Sequence, residues 1–105
     1  MPGSKYTIGV DYGTLSGRAV VVDISDGTEL GSAVFEYPNA VMDQVLNRTG
    51  EKLPPEWALQ DPNDYVEVLK HAVPAAVRAS GIDPKDVIGI ATDFTACTMV
   101  PVKID

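Results

Sequence analysis

The stretch IGVDYGTLSGRAVVVD, residues 8–23, sets two apolar runs around a short polar centre. Residues 5–11 (KYTIGVD) carry β-branched and aromatic side chains and predict a buried strand. Residues 18–24 (RAVVVDI) are apolar almost throughout and predict a second. Between them, Gly13 and Gly17 suit a tight reversal. The Asp-Gly turn of SDGT at 25–28 leads to a third run, ELGSAVFEY at 29–37. Three runs with tight connections make an antiparallel meander.

Residues 38–60 have no clear period and hold Pro38, Asn39, Asn47, Gly50, Pro54 and Pro55. They predict a long loop with a short helical turn at 41–46, and long loops in small domains are often functional. A helix follows. Asp61 is the N-cap, Pro62 sits at the first position, Asp64 charges the first turn and Gly81 ends it. Tyr65, Leu69, Val73, Ala76 and Val77 recur at helical spacing as its buried face. Pro74 removes the hydrogen bond to Lys70 and predicts a kink. DPKD at 83–86 is a turn, VIGIATD at 87–93 a buried strand, and TMVPVKI at 98–104 a further strand near an edge. The order is β-β-β-α-β-β, an α/β pattern. The abrupt stop after VPVKID suggests the front part of a longer protein; a domain ending on an edge strand is the alternative.

The chain has 105 residues, a net charge of −7 and a single cysteine, Cys97. The acidic balance argues against a nucleic-acid partner, which needs a basic face. One cysteine excludes an internal disulfide and a cysteine-cluster metal site. No run approaches a bilayer span, and the start has no apolar signal core, so a cytoplasmic protein is expected, with no membrane partner.

The chemistry concentrates at residues 11–18. Gly13 lets a backbone approach a ligand, Thr14 and Ser16 offer hydroxyls, and a tight turn aims N–H groups in one direction, as in phosphate-binding nests. Arg18 adds a planar fork of donors suited to phosphate oxygens. Asp11 would repel a bare phosphate but suits one that carries Mg²⁺. On the residues alone, a plain hairpin turn is the readier reading.

The stretch resembles the first phosphate motif of the FGGY carbohydrate kinases, of the actin-like ATPase superfamily. That pattern runs hydrophobic-x-D-x-G-T-x-S-x-R, then an apolar strand ending in Asp, and Asp11, Gly13, Thr14, Ser16, Arg18 and Asp23 match it. LPPEWALQDPNDYVEVLKHAVPAAV is similar to the family stretch opening its first long helix, and VIGIATDFTACTMVPVKID to its strand, sugar-contacting loop and return strand. The xylulose kinases carry G-Q-M-H-G in that loop and the glycerol kinases Asn-Gln-Arg-Glu; TDFTACT departs from both and is similar to a branch whose acceptor is L-ribulose.

The resemblance implies the first part of a ribonuclease H-like N-terminal domain over residues 1–105, in an ATP-dependent sugar kinase. It implies that Asp11 helps hold Mg²⁺. Gly13, Thr14, Leu15 and Ser16 would lie at the ATP phosphates, Arg18 at the transferring phosphoryl group, and Asp93, Phe94, Thr95, Ala96 and Cys97 along the sugar pocket. The general base and adenine site would lie beyond residue 105, so the 105 residues alone are expected to be inactive. Other pentuloses or glycerol as acceptor, a homo-oligomer, and a non-catalytic actin-like sensing module remain open alternatives. His71 reads as a structural histidine, Cys97 as an ordinary buried thiol, and Trp57 as packing the long loop down or walling the sugar site. Asp43, Glu51, Glu56 and Asp61 lack a paired-carboxylate spacing and read as a solvated face.

Overall fold

The computed structural model describes residues 3–95, 99, 103 and 104. Strands β1 (Tyr6–Tyr12), β2 (Ser16–Asp23) and β3 (Glu29–Glu36) form the expected antiparallel meander. Helix α1 (Pro62–Ser80) then crosses the sheet, and β4 (Val87–Phe94) returns parallel to β1, giving the order β3-β2-β1-β4. The mixed α/β class matches the sequence reading. The expected last strand over 98–104 falls mostly outside the described residues; Met99, Lys103 and Ile104 belong to no strand.

Alternation sorts the meander into two faces. Tyr6, Ile8 and Val10 of β1, with Ala19 and Val21 of β2, are buried on the helix side. Burying each of the larger of these side chains contributes about 1.5–3 kcal/mol. Arg18 of β2 and Asp11 of β1 point the other way and are exposed. Asp23 closes the β2–β3 turn: its carboxylate Oδ1 accepts from the Ser25 N–H at 2.9 Å and the Ser25 hydroxyl at 2.7 Å. Gly27, with φ +78°, supplies the left-handed residue of that turn.

The helix is capped as read. The Asp61 side chain accepts from the Asn63 N–H, and Gly81 adopts the left-handed conformation with φ 72°. Its buried stripe, however, is Asp64, Val68, Ala72 and Ala76, whereas Leu69 is 42% exposed. Close approach to the sheet selects this stripe. A Cβ on Gly31 of β3 would stand 2.6 Å from the Ser80 N and 2.9 Å from the Ala76 O, so only small helix residues fit there. Tyr65, Val73 and Val77 pack beside the stripe. The helix runs through Pro74 unbroken. Pro74 is exposed, so the Lys70 carbonyl it leaves without a donor can turn to water.

The long loop contains no helical turn at 41–46. It folds back on itself instead, through isolated antiparallel bridges Met42↔Leu59 and Val45↔Lys52. Paired bonds from Met42 N to Leu59 O (2.7 Å) and from Leu59 N to Met42 O (2.9 Å) fix its base, a long-range pairing that no local pattern announces. Asp64 ties the loop to the helix. This buried carboxylate accepts from the Asn39 N–H at 3.2 Å and from Asn39 Nδ2 at 3.0 Å. Asp61 is not on a solvated face either: its side chain is 14% exposed and 3.4 Å from Arg48. The DPKD turn is a single 3-10 turn, Pro84–Asp86, capped by Asp83.

Candidate functional site

The β1–β2 connection is tighter than the sequence implied. Gly13 N donates to Ser16 O at 2.8 Å, leaving Thr14 and Leu15 at the tip. The carbonyls of residues 13–16 are all engaged. Gly13 O accepts the Tyr37 hydroxyl at 2.8 Å, Thr14 O accepts Gln60 Nε2 at 2.8 Å, and Leu15 O accepts the Tyr37 N–H at 2.9 Å. In a trans peptide the C=O of one residue and the N–H of the next point in opposite directions. Drawing the Gly13 and Thr14 carbonyls inward therefore turns the Thr14 and Leu15 N–H groups outward. Among the described residues neither N–H has a hydrogen-bond partner. Two adjacent outward donors on a fixed backbone are an arrangement that can take an anion.

Three tyrosines brace this turn. Tyr65 meets Tyr12 edge-on at 5.7 Å and Tyr37 edge-on at 5.8 Å, and the Tyr12 hydroxyl donates to the Tyr65 carbonyl at 3.0 Å. Burial, with a smaller contribution from the nearby Tyr65, Tyr12, Asp64 and Asp11 charges, pushes the Tyr37 hydroxyl up to about 12. Burial also raises Tyr12 and Tyr65. The sign for Tyr37 follows from linkage. The folded state holds its proton more tightly than the unfolded one, so its contribution is full below the ordinary tyrosine value near 10 and is lost as pH rises toward about 12. The expected result is a tyrosine ionisation near pH 12 in an ultraviolet titration, absent from Tyr37→Phe and accompanied by falling stability from pH 10 upward. A Tyr37 step at the ordinary value would contradict the burial of its hydroxyl.

Register places Asp11 opposite Arg18 on one side and beside Asp93 on the other. The three line a groove of about 290 Å³ on the sheet face away from α1, with Gly9 and Ala91 among its other lining residues. Glu29 also lines it, with its carboxylate 3.9 Å from the Arg18 guanidinium. Both side chains are more than half exposed, so this pair is worth at most about 1 kcal/mol and leaves Arg18 free to turn to another anion.

A second cavity, of about 650 Å³, lies on the other side of the turn. Thr14, Gln60, Tyr65 and Thr95 line it, with Met42 and Leu46 of the long loop. The residues expected along one sugar pocket are thus divided: Asp93 faces the Asp11 groove and Thr95 the Thr14 cavity. Phe94 is 69% exposed and lines neither. Ala96 and Cys97 lie outside the described residues. Gly13, Leu15 and Ser16 line neither cavity, and Leu15 is 59% exposed at the tip. Trp57 does not pack the loop down: it is 52% exposed and walls neither cavity. His71 is structural, stacked on Phe35 at 4.9 Å and 2.9 Å from Glu67.

Sequence reasoning missed the grips of Tyr37, Gln60 and Tyr65 on the turn. Their only local signal was position, at the end of β3 and at the start of α1. No group of three or more metal-ligating side chains occurs among the described residues. The Asp11–Asp93 pair suits a hard cation that keeps most of its water and takes one or two carboxylates beside phosphate oxygens, as Mg²⁺ does.

The chain is similar to ribulokinases. It is 62% identical to the ribulokinase of Halalkalibacterium halodurans over 94% of this chain, and 57% identical to that of Geobacillus thermodenitrificans over 95%. It is 55% identical to that of Mycolicibacterium smegmatis over 99%. The chain spans 18–19% of the length of these ribulokinases. No protein-family model matches it. A match over 94% of the chain takes in the turn, the tyrosine brace and β4 alike. No helix among the described residues is long and apolar enough to cross a membrane.

Proposed function

We propose that this chain is the N-terminal segment of a ribulokinase of the FGGY type. The whole protein transfers the γ-phosphate of ATP to L-ribulose, giving L-ribulose 5-phosphate in L-arabinose catabolism. The observation that carries the reading is the β1–β2 turn, whose carbonyls are tied inward and whose Thr14 and Leu15 N–H groups are left as outward donors. The similarity to ribulokinases supports the choice of acceptor. A nucleotide switch would use the same turn without a sugar.

Phosphoryl transfer is mostly positioning and charge stabilisation. In this reading the outward N–H groups of the turn, with the Thr14 and Ser16 hydroxyls, hold phosphate oxygens against a glycine-thin backbone at Gly13. Arg18 turns from Glu29 to the transferring phosphoryl group. Asp11, with Asp93 beside it, holds Mg²⁺, which supplies charge neutralisation on the phosphates when bound. The Thr14 cavity, with Thr95 in its wall, takes the sugar next to the turn. The group that deprotonates the sugar hydroxyl belongs to the rest of the protein, so the 105 residues alone carry out no turnover.

The test is the shift in thermal unfolding of the full-length protein with L-ribulose and with Mg-ATP, each added separately. Both are expected to stabilise it, by an amount that grows with the logarithm of ligand concentration over dissociation constant. Stabilisation by Mg-ATP with no response to L-ribulose would favour the nucleotide switch. Phosphorylation of L-ribulose by the isolated 105 residues would overturn the division of the site between this segment and the rest.

A further inference from the structure

Gln60 is the last residue of the long loop before the Asp61 cap, and both ends of its amide are engaged. Nε2 donates to the Thr14 carbonyl at 2.8 Å, and Oε1 accepts the Tyr65 hydroxyl. The Thr14 carbonyl can only accept, so it fixes the amide with its NH₂ group toward Thr14 and leaves the amide oxygen to take the Tyr65 hydroxyl proton. The Tyr65 ring is itself held edge-on by Tyr12 and Tyr37. The Thr14 carbonyl belongs to the same peptide plane as the Leu15 N–H, so whatever holds the one aims the other. Gln60 also lines the larger cavity together with Thr14 and Thr95, so it joins the wall of that cavity to the turn.

We propose that Gln60 is a positioning residue for phosphoryl transfer: its grip on the Thr14 carbonyl aims the Leu15 N–H at the nucleotide phosphates. The inference rests on the phosphate reading of the turn. Gln60 touches no reacting atom. It acts through one peptide plane, and Tyr65 acts through Gln60.

The experiment uses the full-length protein and measures kcat, the KM for each substrate and the unfolding midpoint. Gln60→Met removes both hydrogen bonds and is expected to lower kcat by about tenfold and raise the KM for Mg-ATP, since misplacing a catalytic donor by an ångström costs up to about a hundredfold. Gln60→Glu keeps an acceptor for Tyr65 but sets a carboxylate against the Thr14 carbonyl; its kcat should fall at least as far while its unfolding midpoint stays close to wild type. Tyr65→Phe should lose about threefold. The double variant Gln60→Met/Tyr65→Phe should be no worse than Gln60→Met, because both act along one path. A Gln60→Glu enzyme with wild-type kcat and Mg-ATP KM overturns the inference, as do losses that multiply in the double variant. Arg18→Ala in the same assays separates the two levels. If Arg18→Ala loses kcat and the Gln60 variants do not, only the Gln60 inference fails. Wild-type turnover in Arg18→Ala removes the phosphate reading and this inference with it.

Discussion

On the proposed kinase reading, replacing Arg18 by Ala in the full-length protein is expected to lower kcat by about a hundredfold or more, with little change in the KM for the sugar. Losing one preorganised donor from a developing charge costs about that much. The structure makes the experiment clean. Arg18 stands on an exposed sheet face, and its ion pair to Glu29, at 3.9 Å, joins two side chains that are 55% and 65% exposed. Losing that pair costs the fold at most about 1 kcal/mol, so an unchanged unfolding midpoint is expected beside the drop in kcat. Arg18→Lys keeps the charge without the planar fork and should fall between the two. Glu29→Ala frees Arg18 and should leave kcat at or above wild type. A rise in sugar KM with kcat intact in Arg18→Ala would instead place the guanidinium at the sugar.

Gly31→Ala is expected to destabilise the protein by roughly 3 kcal/mol or more, the upper range for forcing atoms into a filled contact. The new Cβ would lie 2.6 Å from the Ser80 N and 2.9 Å from both the Ala76 O and the Ser80 Cα. These are backbone atoms of α1, so no side-chain rotation relieves the clash and the helix must move off β3. Gly17→Ala meets the side chain of Val68 instead, at 2.6 and 2.7 Å from its two methyl groups. Val68 is fully buried and has little room to yield, but its loss should be the smaller of the two. Denaturant unfolding of both variants measures this. A Gly31→Ala midpoint equal to wild type would mean that α1 does not sit on β3 as described.

The meander and the helix were legible because their signals are local. Period-two burial, the SDGT turn, the Asp61 cap and the Gly81 stop each lie within a few residues of what they control. The helix face was read one step off. Leu69 looked like core by its helical spacing, but the close approach of α1 to Gly31 at Ala76 and Ser80 sets which face is buried, and that approach is a property of two elements together. The loop at 41–46 looked helical because the bridge from Met42 to Leu59 spans the whole segment and leaves no local trace. The family resemblance placed Asp93 and Thr95 along one sugar pocket. β4 ends at Phe94, so strand alternation no longer governs Thr95, and the two residues face different cavities.

The sequence by itself determined that a glycine-bearing turn joins two buried strands, with Asp11, Thr14 and Arg18 placed around it. Hydrophobic alternation and turn chemistry act over short range and suffice for that. Only the tertiary structure decided which way the turn's peptides face. The Tyr37 hydroxyl reaches Gly13 from 24 residues away and the Gln60 amide reaches Thr14 from 46, and each takes a carbonyl that would otherwise be free to rotate. A planar peptide then leaves its N–H pointing out, and the proposed phosphate role rests on that orientation.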